Sequence, residues 1–177
     1  MATHALSVKT STLLAAAGRT SGMILVDTDS SCPVGIYRVV QRPVMRGELV
    51  EACLPDAIAA YGRARGYLGL GGCPDGSEPV IKVIVATFGD RVDLSSDEVR
   101  VNGATLAHTP TRFRDSRGRE ISSIECGSYD TCANEFWLFG VRDTRSWDSR
   151  YFGPVPRSSV LGAVEPVLTV ASFASAK

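Results

Sequence analysis

The chain is 177 residues long, enough for one domain with its own core, and its 19 basic and 19 acidic side chains cancel. At 44% hydrophobic and 21% charged, its composition is that of an ordinary soluble protein. The charge balance argues against a nucleic-acid groove or a polybasic membrane patch, and no apolar run is long enough to span a bilayer.

Residues 1–22 are small and polar, with little pattern, and are expected to be weakly ordered. Their one apolar run, Leu13 to Ala17 after Lys9, is at most the remnant of an export or anchor segment. Met23 to Val26 reads as a short strand, and Asp27 to Pro33 as a loop dense in turn formers. Gly35–Val40 and Glu48–Cys53 read as two more strands. Pro55–Arg65 reads as a helix, with proline at its start and Gly66 just past its end. A glycine-rich loop runs from Gly66 to Pro79.

The next segment is Val80-Ile81-Lys82-Val83-Ile84-Val85-Ala86. It has the β-branched pattern of a buried strand with one lysine inside it. Alternation predicts Val80, Lys82, Ile84 and Ala86 on one face and Ile81, Val83 and Val85 on the other. Lysine is rarely buried, and desolvation disfavours its charged form. A neutral amine in an apolar setting is a general base, able to activate a serine without histidine.

Arg91 to Leu94 follows a turn at Phe88-Gly89-Asp90. Glu98–Leu106 reads as a hairpin with a type I′ turn at Asn102-Gly103. Residues 108–125 hold four arginines, with Asp115, Glu120 and Glu125 interleaved, which favours a solvated loop over a phosphate grip. Glu135–Val141 is a strong strand, and Val160–Val164 and Pro166–Val170 read as two more. The five cysteines, Cys32, Cys53, Cys73, Cys126 and Cys132, include no C-x-x-C pair. With two histidines, no zinc site is expected. Two readings of the thiols stand: Cys53–Cys73 and Cys126–Cys132 disulfides with Cys32 free, or five reduced thiols.

Three pieces carry the functional reading: Ser31-Cys32-Pro33-Val34-Gly35-Ile36-Tyr37, the Lys82 strand with Gly89-Asp90 after it, and Ser146 to Pro156. Alone, Ser31 reads as a turn residue, and Lys82 reads equally as a snorkelling edge lysine or a buried base. Together and in this order they resemble the serine/lysine signal peptidase family, and within it the conjugative-transfer branch that processes pilin. Val101-Asn102-Gly103, Gly162 to Pro166, and an insert with Ala64 to Gly69 and Cys73-Pro74 extend the likeness from about Ile24 to Val170.

The resemblance implies a mainly β, signal-peptidase-like fold of several short strands with one or two small helices. The peptidase domain would cover 23–172, with a Cys53–Cys73 insert. It implies Ser31 as nucleophile and Lys82 as general base. Ser146 would orient the amine, and Asp148, paired with Arg150, would be needed for activity. The Ser31 N–H would be the first oxyanion donor, and Asp29 stands where the family usually has a small hydroxyl residue. Cys32, lacking a histidine partner, reads as a small side chain lining the cleft. No metal or cofactor is implied. The implied partners are a pilin precursor or other exported protein, and the conjugative transfer apparatus. The implied location is the periplasm or the periplasmic face of the inner membrane. The family allows membrane association, for which this chain shows no anchor. A rival reading is a non-catalytic homologue that binds pilin or transfer-apparatus proteins.

Overall fold

A computed structural model describes residues 23–27, by their backbone, and residues 35–169. Segment 1–22, Asp29, Ser31 and Cys32 lie outside the described residues.

The architecture is mainly β. A seven-stranded sheet has the order β1-β2-β11-β3-β4-β9-β10. Its members are β1 (Met23–Asp27), β2 (Gly35–Val40), β3 (Leu49–Ala52), β4 (Val80–Ala86), β9 (Glu135–Phe139), β10 (Val155–Pro156) and β11 (Val160–Thr169). A four-stranded sheet has the order β7-β6-β5-β8, built from β5 (Arg91–Leu94), β6 (Val99–Val101), β7 (Ala104–Leu106) and β8 (Gly127–Asp130). The paired strands are antiparallel. Two helices, α1 (Asp56–Arg65) and α2 (Ser149–Phe152), complete the main elements.

Strand β9 explains why β4 is buried so thoroughly. Phe136 and Leu138 point into one core with Val50, Val80 and Ile84. Trp137 and Phe139 point into a second core with Val92, Val99 and Val101 from the smaller sheet. The alternation expected along β4 holds through Ile84 and then breaks. Ile84 pairs with Leu138 and Ala86 with Trp137, so β4 carries one extra residue there. This bulge turns both Val85 and Ala86 into the second core, and Ala86 therefore does not share the Lys82 face.

Helix α1 ends where the sequence predicts. Gly66 adopts φ 71°, and its N–H bonds back to the Arg63 carbonyl. Asp56 in the first turn and Arg63 and Arg65 in the last complement the helix dipole. Gly62 has no room for a side chain, since a Cβ there would lie 2.7 Å from the Trp147 ring. The Cys53–Cys73 disulfide ties the end of β3 to the glycine-rich loop, with Cα atoms 5.6 Å apart.

Three expectations need correction. The C-terminal strand pair is one strand, β11. Pro166 lies beyond the residues that pair with β3, next to a register shift against β2, where a missing N–H is tolerated. The loop at 108–125 is more than solvated surface. Asp115 accepts bonds from the Arg117 and Arg119 backbone, the Arg119 guanidinium and the Tyr67 hydroxyl, while Arg65 reaches the Glu120 carbonyl. Finally, Cys126 and Cys132 are free and exposed. The residues between them form β8, paired with β5, and an extended strand holds its ends apart.

Candidate active site

Lys82 sits on β4 opposite Val50 and between Val80 and Ile84, both buried. Its residue exposure is 8%. Its Nζ donates to Ser146 Oγ at 2.9 Å, and Ser146 is itself 6% exposed. Ser146 is presented by the turn after β9, where its N–H donates to the Asp143 carbonyl at 3.0 Å.

The support behind this contact is a fully buried ion pair. Arg150 Nε donates to Asp148 Oδ1 and Arg150 Nη2 to Asp148 Oδ2, both at 2.8 Å. The side chains of both residues have no exposed surface. Removing two charges from water costs several kcal/mol each, so such a pair persists only if its remaining hydrogen-bonding groups are satisfied. Here they are met on several sides. Asp148 Oδ1 caps α2 by accepting the Arg150 N–H at 3.2 Å, and Oδ2 accepts the Gly140 N–H at 3.1 Å. Arg150 also donates to the Pro110 carbonyl at 2.7 Å and to the Ser146 carbonyl at 2.9 Å. Burial alone would lower the Arg150 pKa, but the hydrogen bond and charge of Asp148 prevail and hold it above the usual arginine range.

The ion pair thus holds both ends of the turn: Gly140 through the Asp148 carboxylate and Ser146 through the Arg150 guanidinium. Ser149 adds a third tie, its Oγ accepting the Leu138 N–H at 2.9 Å. The structure therefore brings Lys82, Ser146, Asp148 and Arg150 into one buried cluster. Ser31 is outside the described residues.

Sequence reading missed Gly140, taking it as strand. Strand β9 ends at Phe139. A Cβ on Gly140 would overlap Ser146 Oγ, lie 2.5 Å from Ser146 Cβ and 3.4 Å from Lys82 Nζ. The only signal was a glycine directly after an aromatic-rich strand. Glu51 was also missed. It pairs with Ile81, so it points to the sheet face opposite Lys82. It is fully buried, and neither carboxylate oxygen has a hydrogen-bond partner among the described residues. Burial pushes its pKa up to about 7.

The described part of the site is thus a buried lysine–serine contact on a mainly β scaffold, backed by an ion pair. The chain belongs to the signal peptidase family, peptidase S26, whose family pattern matches residues 12–169. It is therefore a peptidase by family. It is 36% identical over 158 residues to a plasmid transfer protein TraF of Escherichia coli, covering 89% of each chain. It is also 36% identical over 147 residues to a conjugal transfer protein TraF of Agrobacterium fabrum, covering 81% of each. A crystal structure of a signal peptidase I from Enterococcus faecalis aligns with 69% of this chain and 97% of its own, with 21% identity and a TM-score of 0.38. Among the described residues, no helix is long and apolar enough to cross a membrane.

Proposed function

We propose that this chain is a serine endopeptidase that processes a conjugative pilin precursor, with Ser31 as nucleophile and Lys82 as general base in a domain spanning 23–172. The observation that carries the reading is the Lys82 amine, buried among apolar residues and bonded to Ser146 Oγ at 2.9 Å. Family membership supports the peptidase class. The names of the relatives support a role in conjugal transfer, beside the transfer apparatus. The Cys53–Cys73 disulfide supports an oxidising location such as the periplasmic face of the envelope.

In this mechanism the Ser31 hydroxyl attacks the scissile carbonyl as its proton passes to the Lys82 amine. Burial favours the neutral amine. A neutral amine that donates one N–H to Ser146 keeps a lone pair to accept that proton. The Ser31 N–H stabilises the oxyanion. Collapse breaks the C–N bond, and Lys82 returns the proton to the leaving amine. The acyl-enzyme then passes to water, giving hydrolysis, or to the amine of the pilin's own N-terminus, giving a cyclic subunit. Asp148 and Arg150 hold the Ser146 turn and take no proton.

The test is mass spectrometry of a pilin precursor with small residues at the scissile bond, incubated with wild type, Ser31→Ala and Lys82→Ala. Wild type is expected to yield the cleaved or cyclised product and both variants the intact precursor. Processing by Ser31→Ala would overturn the reading.

A further inference from the structure

Trp147 stands between two residues of the site. Ser146 before it bonds the Lys82 amine, and Asp148 after it is buried in the ion pair with Arg150. Its side chain leaves this cluster and reaches α1. The ring stacks on Tyr61 with centroids 6.1 Å apart and planes 23° apart, lies 5.3 Å from the Tyr67 ring, and meets Phe152 of α2 edge-on at 5.0 Å. It also lies close against the helix backbone at Gly62. A Cβ there would fall 2.7 and 2.8 Å from two ring atoms of Trp147, and 2.9 Å from Leu68.

Tyr61, Gly62 and Tyr67 all lie between Cys53 and Cys73, so this clamp belongs to the segment that the disulfide closes. Other residues brace it. The Tyr67 hydroxyl donates to Asp115 at 2.9 Å, and the guanidiniums of Arg65 and Arg119 lie over Tyr61 at 5.1 Å and over Tyr67 at 5.8 Å. The Trp147 ring also borders a cavity of about 240 Å³ between α1 and α2, lined by Ile58, Tyr61, Tyr151 and Phe152 as well. The ring therefore has room to move when its contacts with α1 change.

We propose, resting on the peptidase reading, that Trp147 is a positioning residue through which the Cys53–Cys73 insert sets the Lys82–Ser146 contact. The peptide that joins Ser146 to Trp147 is held at two places. Arg150 Nη2 donates to its carbonyl at 2.9 Å, and the Trp147 ring is held by α1 beyond its other end. Neighbouring Cα atoms are only about 3.8 Å apart, so a ring that shifts tilts this peptide and carries Ser146 with it. A misplacement of about 1 Å at a reacting centre can cost about 100-fold in rate, even when its cause lies far from the chemistry. Trp147 takes no part in proton transfer; it acts through Ser146.

The experiment measures kcat and KM on the pilin precursor for full-chain variants, and determines their crystal structures. Gly62→Ala removes no contact, and alanine favours a helix more than glycine does, so a loss of activity is not a loss of α1. Its methyl pushes the Trp147 ring. Expected is a fall in kcat approaching about 100-fold with KM little changed, and a crystal structure with Ser146 Oγ beyond hydrogen-bond reach of Lys82 Nζ. Trp147→Leu is expected to do the same. Trp147→Phe keeps an aromatic face toward Tyr61 and Tyr67 and is expected to retain most of kcat. Cys53→Ser with Cys73→Ser, assayed well below its denaturation midpoint, is expected to lose kcat as Gly62→Ala does. Val99→Ala opens a cavity in the second core and controls for lost stability alone, with kcat expected unchanged. The inference is overturned if the Lys82–Ser146 contact stays at 2.9 Å in Gly62→Ala and Trp147→Leu, or if kcat falls as far in Val99→Ala. A wild type that leaves the precursor intact would overturn the peptidase reading instead, and the crystal structures would still decide the positioning.

Discussion

Arg150 grips both carboxylate oxygens of Asp148 at 2.8 Å with neither side chain exposed, and the same guanidinium holds the Ser146 carbonyl at 2.9 Å. Breaking the pair leaves one buried charge without its partner. Arg150→Ala is expected to lose about 3–5 kcal/mol of stability in urea unfolding, and to lose pilin processing with it. Arg150→Lys is expected not to rescue either, since an ammonium cannot make the two-point contact. A Lys variant with wild-type stability would show that the fork geometry is dispensable.

Lys82→Arg is expected to fold and to be inactive, because guanidinium stays protonated at any usable pH. Lys82→Ala is expected to be inactive as well and to lose about 1–3 kcal/mol of stability, since it leaves the buried Ser146 hydroxyl without the amine and empties the space of the lysine stem. If Lys82 is the base, wild-type activity should rise with pH as its amine loses the proton. Pilin processing by Lys82→Arg at a comparable rate would remove Lys82 from the role of base.

Gly140→Ala tests the space beside the Lys82–Ser146 contact. The added methyl overlaps Ser146 and must displace it from the amine. Overpacking of this kind costs about 1–3 kcal/mol of stability. The specific expectation is a fall in kcat with KM little changed, measured on the same precursor. Unchanged kcat would mean that the turn relaxes without moving Ser146.

Glu51 gives stability a pH dependence of its own. Its carboxyl ionises near the ordinary glutamate value of 4.5 when unfolded and is pushed up to about 7 by burial when folded. Below 4.5 both states hold the proton and the site costs nothing extra. Between 4.5 and about 7 the unfolded state ionises first, so stability falls as pH rises, then levels off. Glu51→Gln is expected to flatten this segment of the curve and to be more stable than wild type at pH 8. Chemical denaturation from pH 4 to pH 8 reads both, and parallel curves for the two proteins would refute the assignment.

The Cys53–Cys73 bridge spans a sequence separation of 20. Replacing both cysteines with serine is expected to cost about 3 kcal/mol, read as a lower denaturation midpoint than that of the oxidised protein. Equal midpoints would mean that the insert holds its shape without the bridge.

What the sequence determined by itself was set by local chemistry. The end of α1 follows from Gly66, whose positive φ carries little penalty without a Cβ. The type I′ hairpin follows from Asn102-Gly103, both with positive φ. The Lys82 strand was legible because its β-branched run is continuous. The three motifs around Ser31, Lys82 and Asp148, in that order, were enough to point to the family. Tertiary structure decided whatever depended on a distant partner. Val85 and Ala86 share a core only because β9 pairs across a bulge. Cys126 and Cys132 stay apart only because β5 claims the segment between them as a strand. Glu51 reads as one more strand residue until β3 is enclosed between β11 and β4. Gly140 matters only because the Asp148–Arg150 pair folds Ser146 back over Lys82. None of these has a local signature, since each arises where two segments far apart in the chain compete for the same space.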